Sequence, residues 1–273
     1  MARRISRPTD SPALVHREAV PVADQGSDTA SVAPEAAPTE PFVVPPDELP
    51  RHVAIIMDGN RRWAKARGQT EMEGHSAGVE GIRGIIRHAV RRGIAVLSLY
   101  AFSRENWARS DDEVSGLFYL LEKVIRSETD ELRAQGAQVR LLGRTQELPP
   151  ETRDSIERAL EATSGGRRLQ LNIAFNYSGR TELVDAARQL AVEGFSPDEI
   201  DEDVLASALY TAGLPDPDMV IRTGGEQRLS NFLIWQAAYA EIYFTPVLWP
   251  DFGPRDFDDA LVEFASRQRR FGR

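Results

Sequence analysis

The chain has 273 residues, 41% of them hydrophobic, and a formal net charge of −9, which suffices to bury one large core or two small ones. That acidic balance excludes a phosphate-tracking nucleic-acid surface, which carries a basic excess, and no window of the sequence approaches a transmembrane span. With no cysteine, the chain forms neither disulfides nor thiolate metal sites, in keeping with a reducing cytoplasm.

Residues 1–50 hold nine of the seventeen prolines, a single aromatic (Phe42) and eight acids against four arginines, with Ala, Ser and Thr filler between. Such a stretch cannot bury enough apolar surface to offset its ordering entropy, so a disordered tail over 1–50 is predicted. The opening Met1-Ala-Arg-Arg-Ile-Ser-Arg7 has the charge of a signal peptide, but no apolar run follows it and secretion is not expected.

From Arg51 onward strand-like and helix-like runs alternate. Short segments rich in β-branched and aromatic residues at Val53–Met57, Val96–Ala101, Val139–Leu142, Leu169–Ala174, Met219–Arg222 and Ile242–Thr245 predict six strands. Between the first two, Val79, Ile82, Ile85, Ile86, Ala89 and Val90 recur at helical spacing, and Gly93 is placed to cap the run. Ser110-Asp-Asp-Glu113 reads as a capping box for a long helix carrying Val114, Leu117, Phe118, Leu121, Val124 and Ile125. Further helices are predicted at 150–162, 180–193, 199–212 and 255–268. The alternation places 51–273 in one α/β domain with a mainly parallel sheet flanked by helices.

In such sheets ligands gather beyond the carboxyl ends of the strands. Four polar clusters sit there: Asp58–Arg62, Ser103–Arg109, Asn176–Arg180 and Arg222–Ser230. In the first, Gly59-Asn60 offers a flexible turn whose N–H groups could face an anion, with Asp58 holding a divalent cation on it. The same residues also suit an ordinary strand-turn-helix joint. In the last cluster Arg222 and Arg228 flank Gly224-Gly225, and Ser230 adds a hydroxyl where a helix could begin, the elements of a diphosphate clamp. Two anion sites imply two phosphorylated substrates. Other chemistries fail: no Walker lysine loop occurs, Gly78, Gly81 and Gly84 lie mid-helix where they serve close packing, and His16, His52, His75 and His88 lack metal-ligand spacing.

The segments His52–Trp63 (HVAIIMDGNRRW), Leu99–Arg109 (LYAFSRENWAR), Asn172–Arg180 (NIAFNYSGR), Val220–Phe232 (VIRTGGEQRLSNF), Trp235–Glu241 (WQAAYAE), Leu248–Phe252 (LWPDF) and Arg269–Gly272 (RRFG) together resemble the cis-prenyltransferases, the undecaprenyl diphosphate synthase family. The match runs in order across 51–272. It implies a six-stranded parallel sheet with a hydrophobic tunnel between sheet and helices, a homodimer, and Mg2+ as cofactor. The implied reaction is repeated condensation of isopentenyl diphosphate onto an allylic diphosphate such as farnesyl diphosphate, each new double bond being cis. A cytoplasmic enzyme that hands its lipid product to the membrane follows from the same resemblance.

Carried over residue by residue, Asp58 is the metal-site carboxylate and Gly59, Asn60, Arg61, Arg62 and Trp63 form the allylic diphosphate segment. His75 matches an active-site position, although capping or core packing would explain an isolated histidine there. Ser103, Arg104, Glu105, Asn106, Trp107 and Arg109 lie on the central loop, where Asn106 corresponds to a residue implicated in proton removal. A neutral amide is a poor base, so Asn106 is read as an orienting group, with diphosphate or water taking the proton. Arg222, Arg228, Leu229 and Ser230 match the isopentenyl diphosphate clamp, Glu241 a second metal-site carboxylate, and Arg270-Phe271-Gly272 a C-terminal motif that reaches the active site at the dimer interface.

Three positions depart from the common bacterial pattern: Arg61 stands for glycine, Glu71 for arginine, and Gln227 for histidine. They bear on the allylic starter and product length. Ala101, small and near the reacting centre, points to medium or long products, while Phe118 and Tyr119 read equally as core or as tunnel lining. The family also contains non-catalytic partner subunits, but Asp58 and the whole 58–63 segment are present here.

Overall fold

The computed structural model describes residues 42–267. Six strands, β1 (His52–Ile56), β2 (Val96–Ser103), β3 (Ala137–Leu142), β4 (Leu169–Tyr177), β5 (Met219–Arg222) and β6 (Glu241–Phe244), form one sheet in the order β3-β4-β2-β1-β5-β6. Every neighbouring pair is parallel. All six predicted runs become strands, Met219–Arg222 with the same bounds and the others within one to three residues at an end. All five residues of β1 are buried, which is why its sequence is almost continuously apolar: helices or turns cover both of its faces.

Seven helices accompany the sheet: α1 (Asn60–Ala66), α2 (Glu71–Arg92), α3 (Asp111–Ala134), α4 (Pro150–Thr163), α5 (Gly179–Glu193), α6 (Glu202–Ser207) and α7 (Pro254–Ser266). On one face Val53, Ile55, Leu97 and Ile221 pack against Ile85 and Ala89 of α2 and Phe257 and Leu261 of α7. On the other, Ala54, Ile56 and Val220 meet Phe232, Leu233 and Ala237 from a turn-rich segment. A third cluster joins Phe102 and Phe175 to Phe118 of α3 and Ile156 of α4.

α2 starts earlier than its apolar period suggests, because Thr70 and Glu73 form a complete capping box. At the start of α3 the predicted box is only half made. Ser110 accepts from the Glu113 N–H, but the Glu113 carboxylate turns instead to Arg109 and His75. The helix expected over 199–212 is reduced to α6, since Tyr210 N–H donates to buried Glu182 at 2.9 Å and Arg140 donates to Ala212 C=O at 2.9 Å. The first of those bonds takes a backbone N–H that a longer helix would use.

Close packing explains Gly78, where a Cβ would lie 2.6 Å from Asn60 Oδ1, but not Gly84, which has nothing within 4 Å. Most of the tail expected over 1–50 lies outside the described residues. Its last part is ordered: the Arg92 guanidinium sits 3.6 Å over the Phe42 ring, and Leu49 packs against the core. Two hydrogen bonds from Arg92 to Asp258 on α7, at 2.8 and 2.6 Å, hold that guanidinium in place, so the folded unit begins by Phe42.

Candidate active site

The chain leaves β1 toward β2 and returns on the other side of β1 as β5, so the loops after β1 and β5 part at the carboxyl ends of the strands. Between them lies a cleft of about 1350 Å³. Asp58, Gly59, Asn60, Arg61 and Arg62 border it from the first loop, Ser103, Glu105, Asn106 and Arg109 from the second, and Arg222, Arg228 and Ser230 from the fifth. Three of the four predicted polar clusters therefore meet.

Asp58 is fixed through its backbone. Its N–H donates to Thr223 Oγ1 at 2.9 Å, and its C=O accepts from Thr223 Oγ1 at 2.7 Å and from Trp249 N–H at 3.0 Å. The carboxylate then lies between two cations, with Oδ1 3.0 Å from Arg62 Nη2 and Oδ2 accepting from Arg222 Nη2 at 2.9 Å. Arg222 is 4% exposed and also donates to Ser230 Oγ at 2.6 Å and to Arg228 C=O. Its Nε is buried without a hydrogen-bond partner. Gly224 has to be glycine: φ is 83°, and a Cβ there would lie 2.5 Å from Arg62 Nη2.

Ser230 does not begin a helix. Ser230, Asn231 and Leu233 have φ of 48°, 64° and 45°, left-handed values that no helix continues through. The resulting turn aims Ser230 Oγ at Arg222 and brings Asn231 to Glu105 at 2.9 Å, to Ser178 Oγ at 2.8 Å and to the Arg180 N–H at 2.9 Å. The Asn176–Arg180 cluster thus braces the cleft from behind instead of lining it.

An apolar cavity of about 190 Å³ runs between β2, α2 and α3, lined by Val79, Ile82, Leu117, Leu121, Val124 and Ile173 among others. Met57, Asn60, His75, Tyr100, Ala101 and Leu117 wall both spaces, so the cleft opens into the cavity. A bulge makes this junction: the β2–β4 register slips between Tyr100 and Phe102 and leaves Ala101 unpaired. Phe118 belongs to the aromatic cluster with Phe102 and Phe175, and Tyr119 is 68% exposed, so neither lines the cavity.

His75 is buried on α2 with Nε2 3.3 Å from Glu113 Oε1. Burial pushes its pKa below the ordinary value, so the ring is neutral near pH 7. Burial also pushes the Glu113 carboxyl up, but Arg109 at 2.7 Å and the His75 contact outweigh that and hold it below the usual range. Asn106 uses Oδ1 to accept the Ser103 N–H at 3.0 Å, an orienting bond within its own loop.

Several predicted site residues support the cleft without bordering it. Trp63 donates to Asp251 at 2.7 Å, Arg104 pairs with Glu147, Trp107 donates to Asn176 at 2.8 Å, and Leu229 packs into the core. Glu241 does not join Asp58 within the chain. It opens β6 level with Met219, at the opposite end of the sheet from Arg222, and pairs with Arg267 at 2.9 Å. Arg270, Phe271 and Gly272 lie outside the described residues. Among the described residues no three His, Cys, Asp or Glu side chains gather as a metal cage. Thr223, Asn231 and Glu113 were not singled out as site residues from sequence, although the first two stand inside a quoted motif and the third was read only as a cap.

A family model described as "Putative undecaprenyl diphosphate synthase" matches residues 56–272. The chain belongs to this family. Among its relatives the isoprenyl transferase of Heliobacterium mobile is 48% identical over 233 residues, covering 84% of this chain and 90% of that protein. The isoprenyl transferase of Geobacter sulfurreducens is 46% identical over 232 residues, covering 84% and 94%. The crystal structure of lavandulyl diphosphate synthase from Lavandula x intermedia, in complex with dimethylallyl diphosphate, superposes with a TM-score of 0.81 at 41% identity, covering 83% of this chain and all of that one (100%). That of a probable undecaprenyl diphosphate synthase from Campylobacter jejuni gives 0.70 at 33% identity, covering 82% and 99%. As an undecaprenyl diphosphate synthase family member the chain is an isoprenyl transferase. Two of its three departures from the common family pattern prove to be partners, Arg61 Nε donating to Glu71 Oε1 at 2.7 Å beside the cleft, whereas Gln227 is exposed.

Proposed function

We propose that the chain condenses isopentenyl diphosphate with an allylic diphosphate such as farnesyl diphosphate, and repeats the step to make cis-polyprenyl diphosphates of medium to long chain. The observation that carries this reading is the passage at Ala101 from an arginine-lined cleft into an apolar cavity. Such a joint suits a molecule that is ionic at one end and hydrocarbon along its length. Arg62 and the Gly59-Asn60 backbone take the allylic diphosphate, while Arg222, Arg228 and Ser230 take isopentenyl diphosphate. The tail lies in the cavity, where each buried CH₂ contributes about 0.8 kcal/mol.

Asp58 is a single partly exposed carboxylate, which fits Mg2+, an ion bound by one or two carboxylates together with substrate phosphates. When bound there, the ion neutralises charge on the departing diphosphate. Before substrate arrives Arg62 and Arg222 occupy the Asp58 oxygens; phosphate oxygens then compete for those guanidiniums and free the carboxylate. During the step the allylic carbon–oxygen bond breaks, a carbon–carbon bond to isopentenyl diphosphate forms, and the proton released with the new double bond passes to diphosphate or water. Asn106 orients, because its oxygen already accepts from Ser103.

A homodimer fits an edge strand β6 that is only half-buried and follows the exposed Tyr239. Among the described residues no helix is long and apolar enough to cross a membrane. On the family resemblance we place the enzyme in the cytoplasm, passing its lipid product to the membrane surface. The test is incorporation of labelled isopentenyl diphosphate with dimethylallyl, geranyl and farnesyl diphosphates, with Mg2+ and with chelator. Mg2+-dependent formation of cis-polyprenyl diphosphates is expected. No incorporation with any starter would overturn the reading.

A further inference from the structure

The Ser103–Arg109 loop has few bonds of its own. It is one 3₁₀ turn over Arg104–Ala108, in which Asn106 accepts from the Ser103 N–H and the Arg109 N–H donates to Asn106 C=O. Its position is therefore set by what its side chains hold outside it. Ser103, Glu105, Asn106 and Arg109 border the cleft, whereas Arg104 and Trp107 bond away from it. Trp107 donates to Asn176 at 2.8 Å and packs its ring against Phe102 and Phe118, while Arg104 pairs with Glu147.

Glu147, in the turn between β3 and α4, is itself firmly held. Its Oε1 accepts from Arg144 at 2.9 Å, and its Oε2 accepts both from Arg104 and from Asn176, the latter at 3.1 Å. Arg144 is fixed in turn by two bonds to Asp185 of α5, at 2.7 and 2.6 Å. Asn176 is fully buried with φ 51°; its oxygen takes Trp107 and its nitrogen donates to Arg144 C=O at 2.9 Å as well as to Glu147. Burial pushes the Glu147 carboxyl up, but Arg104, Asn176 and Arg144 outweigh it and hold the pKa at about 2, so the carboxylate is charged near neutral pH. Neither Arg144 nor Glu147 falls in a motif segment. The sequence therefore assigned Arg104 to the substrate, and the structure gives it to Glu147.

We propose that Glu147 is a positioning residue for the transfer reaction: through Arg104 it seats the central loop so that Ser103, Asn106 and Arg109 face the cleft. This rests on the isoprenyl transfer proposed above. The Arg104 and Glu147 side chains are 29% and 37% exposed, so the pair adds little to global stability. Its effect falls on geometry, where a small displacement of orienting groups costs rate.

The experiment measures the first condensation and thermal melting for the full chain and for R104A, E147A, E147Q and R104A/E147A. E147A and R104A are each expected to lower kcat about tenfold, with both substrate KM values within about threefold of wild type and melting nearly unchanged. The double variant is expected to be no slower than the slower single one, because both changes cut the same tie. E147Q keeps one acceptor oxygen and is expected to fall between E147A and wild type. Should E147A fail to fold, E147Q decides by the same fall in kcat. Wild-type kcat in a folded Glu147 variant, or a double-variant loss equal to the product of the single losses, would overturn the positioning role while leaving the transferase reading intact. Absence of any condensation by the wild type would overturn both.

Discussion

Asp58 and Arg222 meet at 2.9 Å beneath the cleft, so one carboxylate serves both as the candidate metal ligand and as counter-charge to a guanidinium that is 4% exposed. Asp58→Ala therefore has two expected effects. Turnover is lost, and stability falls by about 1–3 kcal/mol because a buried cation loses a partner. Asp58→Asn keeps an acceptor oxygen for Arg222, so its stability loss is the smaller of the two while turnover is still lost. Urea denaturation alongside steady-state rates separates the two roles. A fully active Asp58→Asn enzyme would contradict the metal-ligand role.

Arg61 and Glu71 pair across the mouth of the cleft with side chains 55% and 48% exposed, so their mutual contribution to stability is about 1 kcal/mol at most. Their effect falls on binding. Glu71→Ala releases Arg61 toward the diphosphate and is expected to lower the KM for the allylic substrate with little change in melting temperature. Arg61→Ala is expected to raise it. If both variants shift this KM in the same direction, the pair does not act as a restraint on Arg61.

Arg222 and Arg228 were read as equals in the sequence, but only Arg222 is buried. The Arg228 side chain is 60% exposed and pairs with Glu226, so Arg228→Ala is expected to raise the KM for isopentenyl diphosphate while stability moves by no more than about 0.5 kcal/mol. Titrating each substrate at saturating levels of the other measures this. An equal rise in both KM values would argue against a separate isopentenyl diphosphate clamp.

Strands were legible because parallel strands covered by helices carry short runs rich in β-branched and aromatic residues, and Met219–Arg222 could be read to its bounds although its last residue is a buried arginine. Helix starts were less so. Gly59-Asn60 looks like a turn, yet Gly59 at φ 119° is the N-cap of α1, a helix set by packing against Gly74 and Gly78. Serine at 230 suggests a helix start by residue type, while neighbouring left-handed dihedrals, set by contacts from Glu105 and Ser178, forbid one. The cleft residues were legible through their motifs. The Arg61–Glu71 pairing was not, since each sits on a different helix and only tertiary packing brings them together.

The His52 ring is buried, with Nδ1 2.8 Å from Pro215 C=O and Nε2 2.8 Å from Ser98 Oγ. Burial lowers its pKa below 6.5, against the opposing Pro215 carbonyl and Asp218, and burial does the same to His75. The unfolded chain then binds more protons than the folded one between the two pKa values, so stability is complete above about pH 6.5 and falls as the pH drops below it. Urea midpoints from about pH 7.5 to 5.5 should follow that course, with a shallower decline in His52→Asn. An identical slope in the variant would mean that other groups carry the dependence.

The continuity of cleft and cavity at Ala101 is tested most directly by the products of Ala101→Leu. Added methylenes at the bulge occupy space that later isoprene units need, so the dominant product should shorten relative to wild type at matched substrate ratios while the first condensation survives. An unchanged product distribution from a folded, active Ala101→Leu enzyme would contradict the passage of the growing chain through this junction.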